Sequence, residues 1–265
     1  MYLKHWNLKE KPFENTPNPK YFYNSLQHEE AFARMMYVIK EDKGAGMITG
    51  LFGCGKTILA RALHMELGQG IYKIGFIVNP RLDEVGILKM ICRQLGTSDI
   101  PEQKADVLMV LEKMIKNNLQ DGRKTLLIID EAHTIEDPAV FEEIRMLLNF
   151  QENDRFMLNI LLLGQQELKS KIENNKQLLQ RIAIRYHLEG LSEEDTSSYI
   201  NHRITIAGGS VEFSPSALRF IFEQSGGIPR RINQICDMCL FTGLSQKLTL
   251  VDAAIVKEAV ESLEK

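Results

Sequence analysis

A glycine-rich segment at residues 50–57 constrains this chain more than any other part of the sequence. It reads GLFGCGKT and matches the pattern GxxxxGK[ST]. An apolar stretch that predicts a short strand precedes the segment, and a stretch that predicts a helix follows it. Glycines let the backbone turn its N–H groups inward around phosphate oxygens, and the positive end of the following helix points to the same place. The segment therefore predicts a phosphate-binding (Walker A) loop.

The residues of this loop suit a nucleoside triphosphate with its metal. Lys56 supplies a cation for the β- and γ-phosphates, and the Thr57 hydroxyl is a ligand for Mg²⁺. A glycine-rich turn that matches by chance is the alternative, and the flanking strand and helix argue against it. We predict ATP and Mg²⁺ as cofactors. The predicted nucleotide contacts are Gly50, Phe52, Gly53, Cys54, Gly55, Lys56, Thr57 and Ile58.

Two carboxylates follow a second apolar run, TLLII at 125–129. A buried strand there would carry Asp130 at its carboxyl end, where parallel sheets bind ligands. Asp130 is then a second Mg²⁺ ligand beside Thr57, and Glu131 is placed to act as general base on the attacking water. The sequence DEAH at 130–133 also suggests a helicase, but such helicases need two tandem RecA-like domains, and the all-α C-terminal third leaves no room for a second one. His133 either senses the nucleotide or is a solvated loop histidine.

Another polar residue follows the predicted strand at 157–163, which should lie beside the two strands already described. This residue, Gln165, is placed to contact the γ-phosphate or to orient the attacking water. A polar residue that merely caps the next helix is the alternative. We predict a phosphate-sensing (sensor 1) role for Gln165.

Arginines occur at two places that suit a phosphate. Arg181 and Arg185 lie in the segment 180–185, where a helix ends and the last strand begins. An arginine there can reach a γ-phosphate bound by a neighbouring subunit and stabilise the transition-state charge. We favour Arg181, with an ordinary surface arginine as the alternative. Arg230 falls in the first turn of a helix, where a cation is unfavourable without an anionic partner, so it is our candidate for sensor 2, with Arg231 as the fallback.

The order of predicted elements gives the fold class. Strands alternate with helices up to about residue 190, which predicts an α/β fold with a parallel sheet covered on both faces. Only helices are predicted after that point. We therefore divide the sequence into an N-terminal segment at 1–30, an α/β P-loop core at 31–190 and a small all-α lid at 191–265.

Composition excludes several other classes of protein. The chain has 265 residues, 44% hydrophobic and 25% charged, with a formal net charge of -3, so no overall basic field favours nucleic acid. Four cysteines are too few for a disulfide scaffold, and Cys236 and Cys239 lie in an apolar helical run, which predicts buried thiols. The N-terminus lacks a signal-peptide pattern and no apolar run is long enough to span a bilayer. We predict a cytoplasmic protein without direct membrane insertion.

The combination resembles the AAA+ superfamily. Within it, the chain is similar to the general secretion pathway protein A (ExeA/GspA) group, which is related to transposition regulators of the TniB/TnsC kind and to origin-recognition ATPases. The similarity rests on motifs along nearly the whole chain: 8–13, 16–19, 21–23, 130–133, 164–168, 180–182, 185–188 and 226–230.

This resemblance implies a five-stranded α/β core with a helical lid and ATP bound between them. It also implies that the N-terminal segment helps to enclose the adenine, which makes residues 13–23 and His28 candidates. The expected protein is an ATPase that binds ATP or ADP, forms a homo-oligomer as a ring or helical filament, and drives or switches the assembly of a secretion-system partner.

Two alternatives stay open. Secretion proteins of this group typically continue into a membrane span and a peptidoglycan-binding domain, and this sequence ends at Lys265 with neither, which favours a DNA-associated transposition ATPase. DNA is otherwise not favoured as a partner, because its candidate basic residues are interspersed with acidic ones. Those candidates are Lys104, Lys113, Lys116, Arg123, Lys124, Lys169, Lys171 and Lys176. The other alternative is a nucleotide-gated interaction protein with little turnover.

Overall fold

The computed structural model describes residues 2–67, 70–152 and 155–264. Within these ranges the chain forms two compact units. The sheet unit comprises Glu29–Gly50 and Leu59–Leu188, and the helical unit comprises the described residues of Met1–His28, Leu51–Ile58 and Glu189–Lys265. By its contacts the segment Leu51–Ile58 belongs to the helical unit, whereas the sequence assigned it to the core at 31–190. The three-part division of the sequence stays a prediction.

The sheet unit is built on five parallel strands in the order β2–β3–β6–β1–β7. A separate two-stranded antiparallel pair, β4–β5, also belongs to this unit. This confirms the parallel sheet predicted from the alternation of elements. The strands are β1 (Ala45–Gly50), β2 (Tyr72–Ile77), β3 (Lys124–Ile129), β4 (Gln151–Glu152), β5 (Arg155–Phe156), β6 (Leu158–Gly164) and β7 (Ile182–Leu188).

Burial explains why the central strands read as continuous apolar runs. Every residue of β1 and β6 is buried, and β3 is buried after Lys124, because helices cover both faces of a parallel sheet. Asp137 caps the helix that begins with Pro138, its side chain accepting a hydrogen bond from the Ala139 N–H. The first seven helices of the chain are α1 (Leu26–Lys40), α2 (Lys56–Leu67), α3 (Glu84–Gln94), α4 (Lys104–Gln120), α5 (Pro138–Leu147), α6 (Gln166–Asn174) and α7 (Lys176–Arg181).

The helical unit contains α8 (Glu193–Ile206), α9 (Pro215–Ser225), α10 (Pro229–Ser245) and α11 (Ala253–Leu263). The helical character predicted after residue 190 is confirmed, with one short addition: β8 (Glu212–Phe213) pairs in parallel with β9 (Leu250–Val251). Each pair of residues stands just before a helix cap, where the chain is extended, and is too short to show a strand period. None of the helices in the described part of the chain combines the length and apolar character that a membrane crossing requires.

The N-terminal segment contributes directly to the core of the helical unit. Tyr2, Trp6, Leu8 and Phe13 are buried in one cluster with residues of α8, α10 and α11. The Trp6 indole donates a hydrogen bond to the Leu240 carbonyl oxygen at 2.9 Å. Aromatic residues thus fix the segment to this unit by burial, since each large ring removes much apolar surface from water.

A buried arginine makes a second attachment for the same segment. Arg203 on α8 is only 5% exposed. Its guanidinium donates hydrogen bonds to the carbonyl oxygens of Pro12 and Glu14 and to the Tyr199 hydroxyl, and it lies 4.6 Å from the centre of the Tyr21 ring. No carboxylate pairs with Arg203 among the ion pairs of the described residues. Backbone carbonyls and aromatic faces therefore stabilise this charge inside the protein.

We expect Arg203→Met to destabilise the helical unit. The substitution keeps much of the apolar stem but leaves the Pro12 and Glu14 carbonyls without their donor, which costs about 2–4 kcal/mol of unfolding free energy. Thermal melting and limited proteolysis of residues 1–25 would show it. The matched control is Arg219→Met, which removes an exposed pair with Glu223 (side chain 70% exposed) and should change little. Equal effects of the two substitutions would contradict the proposed attachment.

Candidate nucleotide site

The loop at 50–57 has a backbone that only glycine accommodates at two positions. Gly53 and Gly55 have positive φ angles of 86° and 105°. A Cβ at Gly53 would lie 2.6 Å from the Cβ of Arg230, and one at Gly55 would lie 2.7 Å from Nε2 of His28. The glycine pattern therefore reflects both the turn and the close approach of neighbouring side chains.

Lys56 begins α2 immediately after these glycines. Its side chain is 5% exposed, and its Nζ donates a hydrogen bond to the Leu51 carbonyl oxygen at 2.9 Å. Two sources of positive potential therefore coincide at the loop, the Lys56 ammonium and the N-terminal end of α2. The arrangement fits an anion such as a phosphate chain.

An aromatic cleft lies next to the loop within the helical unit. Its volume is about 40 Å³. Of the range 13–23 predicted to enclose the adenine, only residues 21–23 line this cleft. Phe13 instead packs against Phe213 in the core of the helical unit. The lining residues are Tyr21, Phe22, Tyr23, His28, Gly55, Ile58, Leu191, Tyr199 and Pro229.

Arg230 contacts the loop from the first turn of α10. Its guanidinium carbon lies 4.0 Å from the centre of the Phe52 ring, and its backbone N–H donates to the Gly53 carbonyl oxygen at 3.3 Å. Arg231 instead pairs with Glu264, at 3.7 Å. The contacts favour Arg230 over Arg231 as the residue that serves the loop. The stacking on Phe52 is a feature that the sequence pattern alone could not reveal.

In the sheet unit, the strand order brings three chemically important strand ends together. The strand β6 lies between β3 and β1, with Leu162 beside Ile129 and Gly164 beside Thr49. Asp130 and Gln165 therefore leave adjacent strands at the same edge of the sheet. Gln165 is the N-cap residue of α6, although its side chain makes no capping hydrogen bond.

The acidic pair after β3 has an unusual backbone. Asp130 is buried and accepts a hydrogen bond from the Glu131 N–H at 2.9 Å. Glu131 adopts the left-handed conformation, with φ 53° and ψ 31°, which costs energy in a residue with a Cβ. Asp130 in the sheet unit and Thr57 in the helical unit each offer a hard oxygen atom, the type of ligand that Mg²⁺ takes beside phosphate oxygens and water. These residues fit the ion predicted from the sequence.

His133 is not a solvated loop histidine, because its side chain is 13% exposed. Its Nε2 lies 3.5 Å from Oε2 of Glu131, and its Nδ1 has no hydrogen-bond partner among the described residues. Lys171 donates to the carbonyl oxygens of His133 and Ile135, each at 2.6 Å, and so fixes this turn to α6. A surface cavity of about 520 Å³ borders Glu131, His133 and Lys171.

The two candidate arginines of the sheet unit have different surroundings. Arg181 ends α7, donates to Oδ1 of Asn149 at 3.0 Å and lies 6.0 Å from the Phe156 ring. Arg185 is exposed on β7, the edge strand of the sheet. Both lie at the surface of this unit, and the choice of Arg181 stays a prediction.

The two thiols of α10 are buried, as their helical run predicted. Burial raises the pKa of Cys239 to about 12 and that of Cys236 well above its usual value. The thiolate is the reactive form of cysteine, and a raised pKa disfavours it, so buried thiols of this kind are unreactive. Among the described residues no group of three or more His, Cys, Asp or Glu side chains could hold a metal ion by itself.

A parallel sheet in this strand order, with a phosphate loop after its β1 strand, is the arrangement of a P-loop nucleotide-binding protein. Residues 39–172 match the sequence family described as AAA domain, which covers about half of the chain. The chain therefore belongs to the AAA+ family of P-loop ATPases.

Individual relatives agree with this assignment. The chain is 36% identical over 253 residues to general secretion pathway protein A of Aeromonas hydrophila, covering 93% of this chain and 45% of that protein. It thus spans about half the length of this curated relative. Among solved structures it is similar to the Aeropyrum pernix ORC2 protein, with a TM-score of 0.67, 19% identity and coverage of 92% of this chain and 71% of the other. It is also similar to the Thermotoga maritima RuvB Holliday junction branch migration motor, with a TM-score of 0.62 and 19% identity. That match covers 92% of this chain and 73% of the other. At these identities the two structures support the fold alone.

We expect Lys56→Ala to weaken ATP and ADP binding about tenfold to a hundredfold, because a charge-assisted contact to phosphate is lost. Isothermal titration calorimetry with Mg²⁺ present would measure both affinities. Lys257→Ala, on the exposed face of α11, is the matched control and should bind as the unsubstituted protein does. Unchanged affinity in Lys56→Ala would exclude the loop as the phosphate site.

Proposed function

We propose that this protein hydrolyses Mg-ATP at the interface between its own subunits, and uses the cycle to drive or switch the assembly of a partner. The observation that carries the proposal is the phosphate loop, whose glycine-dependent backbone and buried Lys56 suit a triphosphate. The sheet order supports it, because the strands that end before Asp130 and Gln165 neighbour the strand that leads into the loop.

Each candidate residue has a distinct role in this proposal. Loop N–H groups and Lys56 bind the phosphates. Thr57 and Asp130 would hold Mg²⁺, which when bound would supply positive charge to the phosphate oxygens. Glu131 accepts a proton from the attacking water, and Gln165 orients that water.

Arginines complete the site. Arg181, or Arg185 in its place, comes from the neighbouring subunit, and Arg230 responds to the γ-phosphate. The site is then complete only in an oligomer, which gives nucleotide state a direct effect on assembly.

The similarity to general secretion pathway protein A favours an envelope-secretion partner over DNA. The basic residues considered for DNA binding support the same choice, because several already have partners within the sheet unit. Lys104 pairs with Glu84 and Glu143, Lys116 with Glu112, and Lys124 with Asp42. Acidic partners this close reduce the local positive potential that would attract DNA.

We expect Arg181→Ala to bind ATP normally but to lose hydrolysis. Glu131→Gln should bind ATP, release no phosphate and accumulate as an ATP-bound oligomer. Mixing the two variants should restore part of the activity, since a site with intact Glu131 then receives Arg181 from its neighbour. Phosphate release across a series of mixing ratios would measure this effect, with the same mixtures of Arg185→Ala as the comparison. Absence of rescue in both series would contradict a shared site.

We expect duplex DNA to leave the rate of phosphate release unchanged, even at low salt, where phosphate contacts are strongest. The measurement compares turnover with and without DNA at two salt concentrations, together with DNA binding in the presence of ATP. Salt-sensitive binding that requires ATP, or stimulated turnover, would overturn the secretion proposal in favour of the DNA-associated alternative.

A further inference from the structure

A buried histidine connects the N-terminal segment to the phosphate loop inside the helical unit. His28, in the first turn of α1, is 3% exposed. Its Nδ1 lies 2.7 Å from Ser25 Oγ, and its Nε2 lies 3.1 Å from the carbonyl oxygen of Cys54. Both ring nitrogens are therefore engaged by the protein itself.

The surroundings determine which nitrogen carries the proton. A carbonyl oxygen only accepts, so Nε2 must donate to Cys54. Nδ1 then accepts from the Ser25 hydroxyl, which also accepts from the His28 backbone N–H at 3.4 Å. Burial lowers the pKa of His28, which favours this neutral form at pH 7.

The contact falls on a critical part of the loop. Turning successive N–H groups inward toward phosphate oxygens leaves the carbonyl of Cys54 in need of a donor elsewhere. His28 supplies that donor, and its ring also fills the space where a Cβ of Gly55 would stand. The same ring borders the aromatic cleft and contacts Phe22 edge-on, with centroids 5.9 Å apart.

We propose that His28 is a positioning residue that holds the phosphate loop in its binding conformation, and that it does not recognise the base by hydrogen bonds. This inference rests on the proposed nucleotide-binding function. It predicts that loss of the Nε2 donor weakens the binding of phosphate chains with or without a base attached. A residue that only contacted the base would affect nucleotides alone.

The test compares Mg-ATP with magnesium tripolyphosphate, which has the phosphate chain but no base, by calorimetry. His28→Leu keeps apolar bulk without a donor and should weaken both ligands by the same factor, about five- to twentyfold. His28→Gln places an amide donor near the Nε2 position and should recover most of the affinity. Tyr23→Leu is the matched control on the cleft wall, because the Tyr23 ring packs on Tyr199 and His202, and it should weaken ATP while sparing tripolyphosphate.

Each outcome decides between the alternatives. Weakening of ATP alone in His28→Leu, or of neither ligand, overturns the proposal. Should His28→Leu fail to fold in a thermal melt, Ser25→Ala provides the second variant, with a smaller loss that is again equal for both ligands. Failure of the unsubstituted protein to bind either ligand would instead overturn the proposed function itself.

Discussion

The phosphate loop depends on a close fit between a glycine backbone and the side chains around it. Two glycines with positive φ turn the chain, and the space that their missing Cβ atoms leave is filled by Arg230 and His28. Any larger residue at these positions would meet both a strained backbone and a steric clash. The loop is thus specified by its neighbours in the helical unit as much as by its own sequence.

The sheet imposes the second constraint. Parallel strands release all their carboxyl ends at one edge, so the order β3–β6–β1 makes neighbours of residues that are far apart in sequence. Asp130, Glu131 and Gln165 accordingly come after the ends of β3 and β6, two strands whose own side chains are buried in the core. Glu131 also has a left-handed backbone, which costs energy. Such a conformation persists only where contacts of the surrounding fold hold it in place.

The phosphate loop and the buried strands could be predicted from the sequence, because the residues that specify each of them are close together in the chain. The loop pattern and the apolar runs each involve residues within a few positions of one another, and the glycine turn and the strands form in the structure. The Cys54 carbonyl and Phe52 ring could not be matched to His28 and Arg230 in this way. Those contacts join residues that are 26 or more positions apart, and no local sequence pattern predicts such pairs.

The stacking of Arg230 on Phe52 gives the proposed sensor role a physical basis within the helical unit. A cation over an aromatic ring contributes about 0.5–2 kcal/mol, whereas a charge-assisted hydrogen bond to phosphate contributes about 1.5–3 kcal/mol. In the proposed sensor role, a γ-phosphate that reached the guanidinium would compete with the ring for Arg230. Because Arg230 stands in the first turn of α10, which packs against α9 and α11, this exchange acts on the helix at the centre of the unit. ADP lacks the competing phosphate and would leave Arg230 on Phe52, so in this proposal the same two side chains distinguish the two nucleotides.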